Sequence, residues 1–296
     1  MFKQTATTVL ATAFATFATF AGSAAAAAAP TAFHAEVSGT GAPVILIPGL
    51  ASSGEVWKQT AAHLCGPRQC HVLTLAGFAG QPAMKDGELL PAAEQQLADY
   101  IAANKLDKPT IIGHSLGGFL AMKLASDYPD KVGRLVIVDA LPALGATQMP
   151  AATAEQLQAG AARLRDAMSQ QDGASYAAGQ QRAVAGMVTS PADAERIAAW
   201  GRASDRATVS DAMYRVMASD LRGDVARIKA PTLVLGTWAA YKAFAPKEAI
   251  EATFQSQYAK LPGAKIELAD NARHFLMYDD PEWMYEIGRA SCRERV

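Results

Sequence analysis

A short apolar run, Pro109-Thr110-Ile111-Ile112, gives way to Gly113-His114-Ser115-Leu116-Gly117-Gly118 and then to residues with helical spacing. A buried-type strand that turns into a helix within one G-x-S-x-G leaves little freedom to the backbone. Glycine carries no Cβ, so Gly113 and Gly117 allow a sharp turn in which Ser115 is held strained with its hydroxyl exposed. The turn also aims the first N–H groups of the following helix at any oxygen lying over the serine. Five residues with three fixed are a weak signal alone, because a glycine-flanked serine in an ordinary turn reads the same way. The rest of the chain decides between the two.

Apolar runs of strand type recur at residues 44–47, 71–75, 135–138, 231–236 and 265–268, and helical patterns at 56–64, 90–104, 116–128 and 247–261 alternate with them. Such a succession implies right-handed crossovers and an α/β fold, a mostly parallel sheet with helices on both faces. Between 142 and 228 the strand signal vanishes. Ala, Gln, Arg and Met dominate there, with breaks at Gly173, Ser190-Pro191 and Gly223, as expected of an inserted helical cap. The core then falls at 30–141 and 229–286. A chain of 296 residues with 50% hydrophobic and 19% charged residues suits one α/β domain carrying such an insertion.

The two ends stand apart from this pattern. Residues 1–29 hold one early cation, Lys3, then an uncharged stretch rich in Ala, Thr and Phe, then alanines that offer several A-x-A cleavage sites. They read as a secretory signal peptide, with too many small residues and threonines for stable membrane insertion, so the protein is expected in the periplasm or outside the cell. Residues 287–296 break an amphipathic pattern abruptly and look like a translated sequencing-adapter read, so they are expected to be a non-native tail. Without Lys3, Arg289, Arg293, Arg295 and Glu294, a chain of formal net charge −1 becomes more acidic. Neither nucleic acid nor an anionic membrane has a footprint on it.

Setting Cys292 aside leaves Cys65 and Cys70 around Gly66-Pro67-Arg68-Gln69, a spacing that suggests a small disulfide loop in an exported chain. His63 and His71 flank the pair and raise a zinc site, although the spacing fits one poorly. No phosphate loop, metal cluster or cofactor fingerprint appears, so neither cofactor nor metal is expected.

Four features together resemble the α/β-hydrolase fold superfamily from residue 44 to about 286. They are the Pro48-Gly49 loop after the first buried strand, the turn around Ser115, the cap inserted after the strand ending at Asp139, and His274 near the C-terminus. Their order, nucleophile then acid then histidine, matches as well. The resemblance implies a serine nucleophile. A serine hydroxyl needs a base within hydrogen-bond reach, and of the five histidines His274 is placed for that role. His34, His63 and His71 lie in early edge or turn segments and read as structural. His114 is adjacent to Ser115, where side chains diverge, and reads as a packing residue.

The acid departs from the commonest family pattern, because Thr237-Trp238-Ala239-Ala240-Tyr241 follows Gly236 with no carboxylate. Some relatives draw the acid from the end of the preceding strand, where Asp139 stands. The alternatives are Asp139 as a loop cap, with water or backbone orienting His274, and Asp270 as the acid. Asp279 and Asp280 read as the N-terminal cap of the last helix around Pro281. The resemblance places the oxyanion-binding N–H groups at Leu50 and Leu116. Met149, Met168, Met187, Met213 and Met217 could line an apolar pocket, with packing between cap helices the favoured expectation for each.

Relatives that open epoxides or displace halides use an aspartate where Ser115 stands. The resemblance therefore implies a serine hydrolase acting on small to medium neutral carboxylic esters, with a small-molecule substrate as its partner. Lactone, C–C or aminoacyl substrates are the alternatives within the fold. A non-catalytic binding module is the alternative outside it.

Overall fold

The computed structural model describes Met1 and residues 31–293. The leader expected over residues 1–29 lies, but for Met1, outside them. The chain runs β1 (Phe33–Ser38), β2 (Ala42–Ile47), α1 (Lys58–Leu64), β3 (Arg68–Leu75), α2 (Leu89–Ala103), β4 (Thr110–His114), α3 (Leu116–Asp127) and β5 (Arg134–Val138). Five helices follow before the sheet resumes: α4 (Leu144–Gln148), α5 (Ala154–Gln170), α6 (Gly173–Met187), α7 (Pro191–Arg202) and α8 (Arg206–Ala218). The remainder is β6 (Thr232–Thr237), α9 (Lys247–Gln257), β7 (Lys265–Ala269), α10 (Leu276–Asp279) and α11 (Pro281–Arg293).

The seven strands form one sheet in the order β1-β3-β2-β4-β5-β6-β7. β1 pairs antiparallel with β3 at one edge, and every other pairing is parallel. Both faces are buried, which is why the strands read as continuous apolar runs. Ile45, Ile47, Ile111, Leu135 and Val234 pack on one face, while Val44, Leu46, Ile112, Val138 and Leu235 pack on the other. The alternation follows from successive side chains of a strand pointing to opposite faces.

Local chemistry starts the cap helices. Thr153 and Gln156 form a reciprocal capping box at α5, and Asp172, Ser190 and Asp205 each accept from a backbone N–H in the first turn of α6, α7 and α8. The α7–α8 turn is tied to the loop after β3, because Asp205 N donates to Gly77 O at 2.7 Å and Gly80 N to Ala203 O at 3.0 Å.

Three sequence expectations change. The strand expected at 71–75 starts earlier, at Arg68, inside the cysteine loop, where Cys65 and Cys70 are disulfide-paired with Cα atoms 5.6 Å apart. The last helix does not stop at 286. α11 continues to Arg293, and Ile287 packs against the core with Met284 and Tyr285. Asp280 caps α11 by accepting from Trp283 N at 3.3 Å, but Asp279 lies at the end of α10 and faces elsewhere.

Candidate active site

The chain turns from β4 into α3 at Ser115, whose φ of 52° and ψ of −119° are unusual for a residue with a side chain. The flanking glycines are required by contact, since neither has a positive φ. A Cβ on Gly113 would lie 2.3 Å from Gly117 O, and one on Gly117 would lie 2.4 Å from Ile47 O. Ser115 N donates to Val138 O at 2.9 Å, so the turn is stitched to the neighbouring strand. Leu116 opens α3, where its N–H has no intrahelical partner. Leu50 sits in the loop after β2 beside Ala51, which has a φ of 53°.

Asp139 leaves β5 with a φ of 47° and brings its carboxylate under His274. Its Oδ2 lies 2.6 Å from His274 Nδ1, and its Oδ1 accepts from Thr237 N at 3.2 Å. The two side chains are 10% and 23% exposed, so water weakens the contact little. Asp270, the other candidate, pairs with Lys247 Nζ at 2.7 Å on the surface and does not face His274. The segment after β6 that lacks a carboxylate has a different task. Thr237 binds Asp139 through its N–H and donates its hydroxyl to Ala272 O, which tethers the loop carrying His274.

His114 does more than pack. It is fully buried, and its Nε2 lies 3.0 Å from His274 O. A carbonyl oxygen only accepts, so Nε2 carries the hydrogen there. Burial, reinforced by the neighbouring His274, pushes the His114 pKa well below the usual imidazole value, so the ring is neutral.

The loop around His274 is also clasped to the cap. Asp279 Oδ1 accepts from Thr189 N at 2.8 Å and Oδ2 from Arg273 N at 2.9 Å. Phe275 N donates to Met187 O at 3.1 Å, and Arg273 Nη1 reaches Ala185 O and Val188 O, both at 3.3 Å. Contacts on both sides of His274 thus join it to the end of α6.

Ser115, His274, His114 and Leu50 line one cavity of about 330 Å³ roofed by the cap. Its lining is mostly apolar and includes Met168, Met187 and Met213, so three of the five cap methionines face the cavity rather than only packing. Met149 packs with Ala143, Ala146 and Leu157, and Met217 is buried. The remaining histidines are elsewhere. His34 is exposed on β1, His63 stacks on Tyr285 at 4.1 Å, and His71 is buried with Nδ1 2.8 Å from Tyr100 Oη. Among the described residues, no group of three or more His, Cys, Asp or Glu side chains is arranged to hold a metal ion.

Residues 44–287 match the alpha/beta hydrolase family. The pimeloyl-(acyl-carrier protein) methyl ester esterase of Vibrio cholerae is 33% identical over 115 residues, 39% of this chain and 43% of that enzyme. Its counterpart in Vibrio campbellii is 31% identical over 116 residues, 39% and 44% of the two chains. The chain thus spans less than half the length of these curated relatives. Among solved structures, a bromoperoxidase from Bacillus anthracis superposes with a TM-score of 0.73 at 18% identity, over 88% of this chain and 95% of that one. A thermophilic esterase from Thermogutta terrifontis gives 0.70 at 20% identity, over 88% and 93%. At these identities the structural likeness is one of fold, whereas the family match covers most of the sequence: the chain belongs to the alpha/beta hydrolase family.

Proposed function

We propose that this protein is an exported serine hydrolase that cleaves small to medium neutral carboxylic esters through an acyl-serine intermediate. Ser115 is the nucleophile, His274 the general base and acid, and Asp139 the residue that orients His274. The observation that carries the reading is the 2.6 Å contact between His274 Nδ1 and Asp139 Oδ2 at a cavity shared with Ser115. With its Nδ1–H held by the carboxylate, the neutral imidazole presents Nε2 as an acceptor.

In the acylation step Nε2 takes the proton of Ser115 Oγ as that oxygen bonds to the ester carbon. The carbonyl oxygen becomes an oxyanion, facing the N–H groups of Leu50 and Leu116. Each such donor contributes roughly 3–4 kcal/mol to lowering the barrier. Collapse breaks the bond to the alkoxy oxygen, which leaves as the alcohol with the proton from His274. Water then attacks the acyl-serine by the same route and releases the acid. Among the described residues, no Asp, Glu, Lys or Arg side chain lines the cavity, which supports a neutral substrate. The leader at 1–29 and the Cys65–Cys70 disulfide support export. The non-catalytic alternative rests on the missing carboxylate after Gly236, and the Asp139 contact with His274 supports the catalytic reading instead.

A fluorophosphonate probe should add to Ser115, located by peptide mass spectrometry, and p-nitrophenyl esters should be turned over. Ser115→Ala should lose both. Absence of adduct and turnover in the folded wild type would sink the proposal. A reporter fused behind residues 1–29 tests export, and retention in the cytoplasm would contradict that part alone.

A further inference from the structure

The roof of the cavity holds a hydrogen-bond donor that the proposed reaction leaves unused. Tyr176, near the start of α6, lines the same cavity as Ser115. Gln180, one helical turn further on, donates from Nε2 to the Tyr176 hydroxyl oxygen at 2.9 Å. That bond uses the oxygen as an acceptor, so the hydroxyl hydrogen is left over, and it meets no acceptor among the described residues. The guanidinium of Arg206 lies 4.4 Å from the centre of the Tyr176 ring, and Arg206 is itself tethered to the carbonyls of Ser169 and Gln171. The ring is therefore held from the side while its hydroxyl is fixed by Gln180. Burial raises the phenol pKa, so the hydrogen stays in place across neutral pH.

Gln171 and Gln180 line the cavity beside Tyr176, and the rest of its wall is largely apolar, with Val184, Met187 and Ile197 among the lining residues. A donor fixed in advance in a mostly apolar cavity discriminates by what fails to pair with it. An alkyl chain that covers it strips its water and returns no bond, whereas an oxygen acceptor at that point restores one. We propose that Tyr176 is a specificity-determining residue, donating to a neutral keto or hydroxyl oxygen carried on the acyl chain of the ester cleaved at Ser115. The substrate class is thus an oxygen-substituted medium-chain acyl ester rather than a plain alkanoate. The proposal rests on the ester reading above.

The test compares p-nitrophenyl octanoate with octanoates bearing one keto oxygen stepped along the chain, for the wild type and for Y176F. In the wild type, one keto position should exceed plain octanoate in kcat/KM by about tenfold, the size of one net hydrogen bond in such a site. In Y176F that ratio should fall to about one, whatever the absolute rates, with the melting temperature confirming that the variant is folded. Equal rates for all chains in the wild type, or a preference that survives in Y176F, would overturn the role of Tyr176 while leaving the ester reading intact. No turnover of any ester would overturn both.

Discussion

The imidazole of His114 hydrogen-bonds the backbone carbonyl of His274 across 160 residues of sequence, with Nε2 and the oxygen 3.0 Å apart. The histidine beside Ser115 thereby fixes the backbone of another. His114→Phe keeps a ring in the space but leaves the His274 carbonyl unpaired. A buried acceptor without a partner costs about 1–3 kcal/mol, so the variant should melt several degrees lower and lose about tenfold in kcat. His114→Gln, with an amide N–H in reach, should recover part of both. A Phe variant with wild-type kcat would show that the bond only packs the core.

Replacing Asp139 by Asn tests the orienting role without changing shape. The Asn oxygen can still accept from Thr237 N, which then turns its NH₂ toward His274 Nδ1 and forces the hydrogen onto Nε2. An imidazole in that tautomer cannot take the proton of Ser115. Turnover should fall about 10³–10⁴-fold with the fold intact by circular dichroism. Near-normal turnover would move the orienting role to water or backbone.

Asp279 links the cap to the loop that carries His274. Asp279→Ala removes the acceptor for both Thr189 N and Arg273 N. The expected result is a fall in kcat of about tenfold, together with faster hydrogen exchange at those two amides. Asp279→Asn keeps one oxygen acceptor and should lie between the two. Unchanged exchange in the Ala variant would mean that the remaining contacts of Arg273 and Phe275 suffice.

Glu94 gives stability a pH dependence remote from the site. Burial, with a hydrogen bond to Asp127 next in weight, raises its pKa from 4.5 to about 7, beside Lys123 at 3.6 Å. The folded state holds this proton more tightly than the unfolded chain does. Its stabilising contribution is therefore complete below about 4.5 and is lost as pH rises through about 7. The melting temperature should drop between pH 5 and pH 8, and Glu94→Gln, which does not titrate, should flatten that drop. An identical slope in the variant would assign the pH dependence to other groups.

Much of this was legible in the chain. The strands could be read because a parallel sheet buried on both faces writes itself as unbroken apolar runs. Ser115 and His274, which line one cavity, stand out in the sequence because a tight turn demands glycines at fixed offsets and because the order of the groups matches the family's. Asp139, which meets His274, stands out only through the resemblance, since some relatives draw the acid from that strand end and no carboxylate follows Gly236. The supporting contacts left no comparable trace. Thr237 meets Asp139 across 98 residues, Asp279 meets Thr189 across 90, and a threonine N–H or a lone aspartate carries no periodic signal that names its partner. Asp279 reads as a helix cap in the sequence because a short acidic pair before Pro281 is what a cap looks like. The cap methionines were equally mute, since an apolar side chain at helical spacing suits a pocket wall and a packed core alike.

The register of the sheet has a consequence for how such a protein would lose and regain activity. His114 pairs with Val138 on adjacent parallel strands, so Ser115 and Asp139 are the next residues out on each. Their separation is set by the spacing of two central strands, while His274 arrives on a loop beyond the edge strand β7. Transient opening of that edge, or lifting of the cap, would carry away the histidine alone. Mild heating should then produce a dormant form with Ser115 and Asp139 still in register, which returns to work on cooling without refolding the sheet.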